Sequence, residues 1–161
     1  MNKEAELKKI KDEVVACKLC PLNETRTYPV VGQGSHSADI VLVGEAPGAN
    51  EDKQARPFCG AAGKILEELL DSISLKRDQV YICNILKCRP PGNRDPRPEE
   101  TRVCTPYLER QLQAISPKVV GAMGNHAVSF LMKHFGLEDQ LQGISKIHGS
   151  SFEIKLPSGK M

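Results

Sequence analysis

A chain of 161 residues with 22 basic and 20 acidic side chains, net charge +2, fits a single domain spanning residues 1–161 that can bury a core without disulfide staples. With 40% hydrophobic and 26% charged residues it is neither disordered nor fibrous in composition, and its charge balance is too even to identify a nucleic-acid partner by itself. The longest apolar run, Ile40-Val41-Leu42-Val43, is strand-sized, and Met1-Asn2-Lys3-Glu4 lacks the apolar stretch of a signal peptide; a cytoplasmic protein with no membrane partner is expected.

In chain order, residues 3–16 place Leu7, Ile10 and Val14 on one helical face and end at Cys17-Lys18-Leu19-Cys20. Ala38–Val43 reads as a buried strand closed by Gly44. Glu45–Gly60 reads as a loop, and Ile65, Leu66, Leu69, Leu70 and Ile73 then recur at helical spacing. Val80–Leu86 is a second strand, followed by a stretch too rich in proline and glycine for helix or strand, Lys87–Pro96. Proline and acids in the first turn predict a helix from Arg97-Pro98-Glu99-Glu100 to about Ile115. A third strand over Lys118–Ala122, a helix over Asn125–Phe135 with Asn125 as N-cap, and a last strand over Ser151–Lys155 complete the pattern.

Alternating strands and helices predict an α/β fold, a three-layer α/β/α sandwich around a mostly parallel sheet. Ligands of such sheets bind beyond the carboxyl ends of the strands. Gly44-Glu45-Ala46-Pro47-Gly48 and Asn84 fall at that edge. Glycines there allow close approach of a ligand, and a carboxylate can position water; an exposed glutamate on a plain turn is the bland counterpart. Glu51 and Asp52 add acids that in a loop are usually solvated. Phe58 can stack on a planar base or merely anchor its loop, and Asn84, an amide in an apolar strand, needs partners that a pyrimidine edge could supply. Gly60-Ala61-Ala62-Gly63-Lys64 imitates the tail of a phosphate-binding loop, but Phe58 and Ile65 stand where Gly and Ser or Thr belong, which excludes that reading. No role is expected of His36, His134 or His148.

In a reducing compartment, six cysteines suggest metal ligation rather than disulfides. Cys17 and Cys20 have C-x₂-C spacing, and Cys88 and Cys104 lie in or near loops, so these four can share a centre; zinc and iron–sulfur both suit the spacing. Cys59 and Cys83 read as small buried hydrophobes. The basic residues Lys87, Arg89, Arg94, Arg97 and Arg102 cluster in one stretch, where a solvated loop is the simpler reading of charge alone.

Together, Cys17-Lys18-Leu19-Cys20-Pro21-Leu22, Gly44-Glu45-Ala46-Pro47-Gly48, Arg56-Pro57-Phe58, Asn84 and Lys87-Cys88-Arg89-Pro90-Pro91-Gly92-Asn93-Arg94 resemble the family-4 uracil-DNA glycosylases. The resemblance implies base-excision repair by hydrolysis of the N-glycosidic bond of a flipped uracil, in single- or double-stranded DNA, by a monomer. It implies a structural 4Fe–4S cluster on Cys17, Cys20, Cys88 and Cys104, with zinc as the alternative. It implies a uracil pocket of Gly44, Glu45, Ala46, Phe58 and Asn84, with Glu45 and more weakly Glu51 on the reacting side, and phosphate contacts from Lys87, Arg89 and Arg94. The family's second motif, a His-Pro segment whose histidine contacts uracil, has no counterpart in residues 1–161, and Ala55 and Cys59 replace Gly and Val. A truncated or naturally short form with impaired excision is therefore expected, and a catalytically inactive, cluster-bearing DNA-binding module is the competing expectation.

Overall fold

The computed structural model describes residues 2–156. Asn2 caps α1 (Lys3–Ala16), its side chain accepting from the Ala5 amide, and Leu7, Ile10 and Val14 are the residues that α1 buries. The short α2 (Leu22–Thr25) follows the Cys17–Cys20 turn. The sheet comprises β1 (Gln33–Gly34), β2 (Ile40–Gly44), β3 (Tyr81–Asn84) and β4 (Val119–Ala122), in the order β1-β3-β2-β4. The β2–β3 and β2–β4 pairs are parallel and only the two-residue β1 is antiparallel, as a mostly parallel sheet requires. Between β2 and β3 run α3 (Ala49–Gln54) and α4 (Ala61–Ser72); between β3 and β4 runs α5 (Pro98–Ile115); α6 (Asn125–His134) and α7 (Ile144–Ile147) follow β4.

Alternation along the strands sorts the core into two. Val41, Val43, Tyr81 and Cys83 pack with α1, α5 and α6, whereas Ile82 packs with Leu66 and Leu70 of α4. The three layers follow from that division. No helix among the described residues is long and apolar enough to cross a membrane.

Three sequence expectations are corrected. Ser151–Lys155 forms no strand, because apolar alternation becomes a strand only when an edge supplies hydrogen-bonding partners. Gly124, at φ 89°, takes the cap position of α6, and Asn125 is already helical. The apolar residues at helical spacing form α4 as expected, with Leu66 and Leu70 buried, while Ile65, Leu69 and, at its C-cap, Ile73 form an exposed row at four-residue spacing. The Glu45–Gly60 segment contains α3, whose Asp52 is buried and accepts from the Thr27 amide at 2.8 Å rather than facing water.

The helix α3 ends on Ala55 at φ 55°, a left-handed cap where a Cβ is unfavourable. Ala55→Gly is expected to stabilise the fold by about 0.5–1 kcal/mol. Thermal unfolding should show Tm raised by about 1–3 °C.

Candidate functional site

Gly44 ends β2 and is the register partner of Asn84, which ends β3, so the two residues lie side by side at the carboxyl edge of the sheet. A Cβ at Gly44 would stand 2.5 Å from Asn84 Oδ1 and 2.6 Å from Phe58 Cζ. Only glycine lets the strand end, the amide and the ring make this contact. Asn84 is 2% exposed, and its backbone oxygen accepts from Lys87 Nζ at 2.8 Å. An amide at the carboxyl edge of the sheet can offer both a donor and an acceptor to a ligand. The pairing continues past the strands, with Ile85 N–H donating to Gly44 O at 2.9 Å and Leu86 N–H to Glu45 O at 3.0 Å. These bonds fix the Glu45-Ala46-Pro47 turn, and Ala46 packs on the core.

Phe58 holds a left-handed φ of 48°, a strained conformation for an aromatic residue. Arg77, unnoticed in the sequence, accounts for its persistence. Its guanidinium donates to Phe58 O at 2.6 Å and to Pro57 O, and the side chain is only 15% exposed. From the other side, α4 approaches so closely that a Cβ at Gly63 would stand 1.9 Å from Phe58 O. The glycines of Gly60–Lys64 thus serve close packing. The signal for Arg77 was absent because an arginine in a polar turn reads as solvated.

Glu51 accepts from Cys59 N–H at 3.3 Å and lies between Gly48 and Gly60, tying the loop across α3. Burial pushes the Glu45 carboxyl above the usual carboxylate range, with nearby His126 opposing and Asp95 reinforcing that rise. His126, in the first turn of α6, comes within 3.7 Å of Glu45 and 3.5 Å of Asp95.

Cys17, Cys20, Cys88 and Cys104 line one cavity, together with Leu22 and Arg26. Arg26 donates to Cys88 Sγ at 3.1 Å, and the Lys87 amide donates to Cys104 Sγ at 3.3 Å. Burial pushes the Cys20 and Cys88 thiols up and Cys104 to about 11, so a metal centre must displace their protons to bind them as thiolates. Four convergent sulfurs with N–H donors aimed at two of them suit a thiolate-ligated centre. Cys83 is fully buried in β3, as expected, and Cys59 is half-buried beside Phe58.

The basic stretch is spent differently from expectation. Lys87 is 1% exposed and cannot meet a phosphate: its Nζ donates to Asn84 O at 2.8 Å and Gln111 Oε1 at 2.7 Å. The geometry at that point turns the residue after a buried strand inward. Arg94 donates through both Nη atoms to Glu100, whose Oε2 also accepts from the Arg97 amide at 2.9 Å. Arg89 donates to Asn93 Oδ1 at 2.7 Å and remains half-buried, while Arg97 and Arg102 are exposed. His36 and His134 pair with Glu4 at 2.6 Å and Glu109 at 3.2 Å.

The Arg94 contact holds the Glu100 carboxyl below the usual carboxylate range. A depressed carboxylate stabilises the fold above its unfolded value and ceases to do so as pH falls through its folded value. Arg94→Met should therefore lower the urea midpoint at neutral pH, and urea titrations below pH 4.5 should show that difference shrinking toward zero.

The family model described as the uracil DNA glycosylase superfamily matches residues 31–160. The chain is 48% identical over 150 residues to the type-4 uracil-DNA glycosylase of Sulfurisphaera tokodaii, covering 92% of this chain and 67% of that protein. It is 50% identical over 143 residues to the type-4 enzyme of Archaeoglobus fulgidus, covering 89% of this chain and 71% of that one. Against the type-5 uracil-DNA glycosylase of Thermus thermophilus identity is 31% over 179 residues, covering 91% of this chain and 80% of that protein.

Proposed function

This chain belongs to the uracil DNA glycosylase superfamily and, within it, to the type-4 uracil-DNA glycosylases, and we propose that it excises uracil from DNA as a monomer. The observation that carries the reading is the close contact of Gly44, Phe58 and the buried Asn84 at the edge where such sheets bind ligands.

The substrate is a uracil nucleotide turned out of single- or double-stranded DNA, at a cost of about a few kcal/mol in stacking and pairing. The base stacks on Phe58. Asn84 donates an amide N–H to uracil O4 and accepts from N3–H, a pairing that cytosine inverts. Backbone groups around Gly44 and Ala46 hold the pyrimidine, and Glu45 faces the reacting side, where its carboxylate orients water toward C1′. Glu51 steadies the same loop. Cleavage of the bond between C1′ and N1 leaves the electron pair on uracil; water adds its oxygen to C1′ and gives up a proton, yielding free uracil and an abasic site. Prearranged donors to the uracil anion are the principal source of rate.

Cys17, Cys20, Cys88 and Cys104 would hold a 4Fe–4S cluster, which supplies a structural tie rather than a redox step. Zinc on the same sulfurs is the alternative. Either centre joins the N-terminal segment to the loop that carries Arg89, and exposed Arg97 and Arg102 extend that surface toward phosphates.

Asn84→Asp replaces the donor to O4 with an acceptor. On a uracil-containing single-stranded oligonucleotide, abasic-site cleavage should fall by at least about 100-fold. Cytosine should be relatively better tolerated in the same assay; unchanged uracil excision would remove the basis for the pocket. Residues 1–161 contain no His-Pro pair, so they should excise more slowly than a version extended through such a segment, and equal rates would refute that expectation. Protein carrying the cluster should be brown with broad blue absorbance, and Cys104→Ser should lose the colour and the iron measured by metal analysis.

A further inference from the structure

Three ionisable side chains from three segments meet beside the strand ends. Glu45 comes from the turn after β2, Asp95 from the proline-rich loop before α5, and His126 from the first turn of α6. His126 Nε2 lies 3.7 Å from Glu45 Oε2 and 3.5 Å from Asp95 Oδ1, and the three atoms fall within 4.8 Å of one another. The backbone holds the imidazole there although its side chain is 53% exposed. Met123 N–H donates to Val43 O at 2.9 Å, pinning the end of β4 to the end of β2. Gly124, at φ 89°, turns the chain into α6, and Ala127, fully buried, anchors the first turn.

We infer that His126 is a positioning residue for Glu45: its imidazole holds the carboxylate at the reacting side of the pocket while Asp95 works against it. The inference rests on the placement of Glu45 at that side. At these separations His126 Nε2 lies beyond hydrogen-bond reach of both carboxylates, so any effect on Glu45 runs through charge. Among the described residues, His126 and Asp95 are the titratable groups that face Glu45 from the elements around it; Arg94 and Glu100, the neighbouring charges of the loop, are satisfied by each other. Burial and Asp95 both push the Glu45 carboxyl upward, and His126 alone of the three pulls it down. Glu45 can orient water only as a carboxylate, so this balance sets the lower pH limit of its service.

Opposite signs make the test specific. The Glu45 side-chain carboxyl would be followed by ¹³C NMR through an acid titration of the whole chain, as the wild type and as His126→Gln, His126→Arg and Asp95→Asn. His126→Gln should raise the midpoint by about half a pH unit or more, and Asp95→Asn should lower it. His126→Arg, which keeps a cation, should return the midpoint toward the wild-type value. Identical midpoints in the wild type, His126→Gln and Asp95→Asn, or shifts of one sign in both variants, would overturn the inference. On a uracil-containing single-stranded oligonucleotide, the acid limb of the excision rate should move with the midpoint, giving His126→Gln its largest loss at the acid end and little at alkaline pH. If a version extended through a His-Pro segment also excised nothing while the midpoints moved in opposite directions, the uracil reading would fail and the coupling of His126 to Glu45 would stand.

Discussion

A buried lysine joins the end of β3 to α5. Lys87 follows the end of β3 with 1% of its surface exposed, and its Nζ is held by Asn84 O and Gln111 Oε1. Gln111 in turn donates to Val31 O at 2.8 Å and to the Tyr81 hydroxyl at 3.1 Å. The same residue's backbone N–H points at Cys104 Sγ. Burying a cation beside neutral acceptors alone costs several kcal/mol, roughly the scale at which an unpaired buried charge is not retained. A nearby centre carrying thiolate charge would offset that cost, and Lys87 already draws the Cys83 and Cys104 thiols toward ionisation against the effect of burial. The residue that locates the Asn84 carbonyl thus also lies beside the cysteine site.

This arrangement explains how the basic stretch is divided. Lys87 is spent inside, Arg94 is spent on closing the start of α5, and Arg26, from a different segment, is spent on Cys88 and on Val14, Val15 and Cys17 carbonyls. The cations with side chains toward water, Arg97 and Arg102, sit on the helix those internal contacts orient. Charge placed inside the fold thus decides where charge appears outside it.

Elements with strong periodicity were legible in the sequence. The α1 face of Leu7, Ile10 and Val14 and the strands around Val41 and Ile82 follow directly from spacing and apolar runs. Gly44, Phe58 and Asn84 could be singled out one at a time because each breaks a local rule. Their mutual contact could not, since it depends on the β2–β3 register and on Arg77 reaching back to the Phe58 carbonyl. His126 was hidden for a related reason: its partners are distant in sequence, and a histidine at a helix start has an ordinary local explanation. The inward turn of Lys87 was equally hidden, because a lysine opening a proline-rich loop resembles its solvated neighbours until the packing of Gln111 is known.

The pairing of Gly44 with Asn84 has a bearing on how such a protein can change over time. Both residues end adjacent parallel strands in direct register, and side chains alternate faces at every step. A residue inserted in the connection through α3 and α4 leaves that alignment intact, whereas one inserted within β3 rotates the amide to the opposite face of the sheet. Lineages built on this frame are free to vary the length of their connecting segments while the length of β3 stays frozen, so drift in base preference has to come from exchanging side chains at fixed positions.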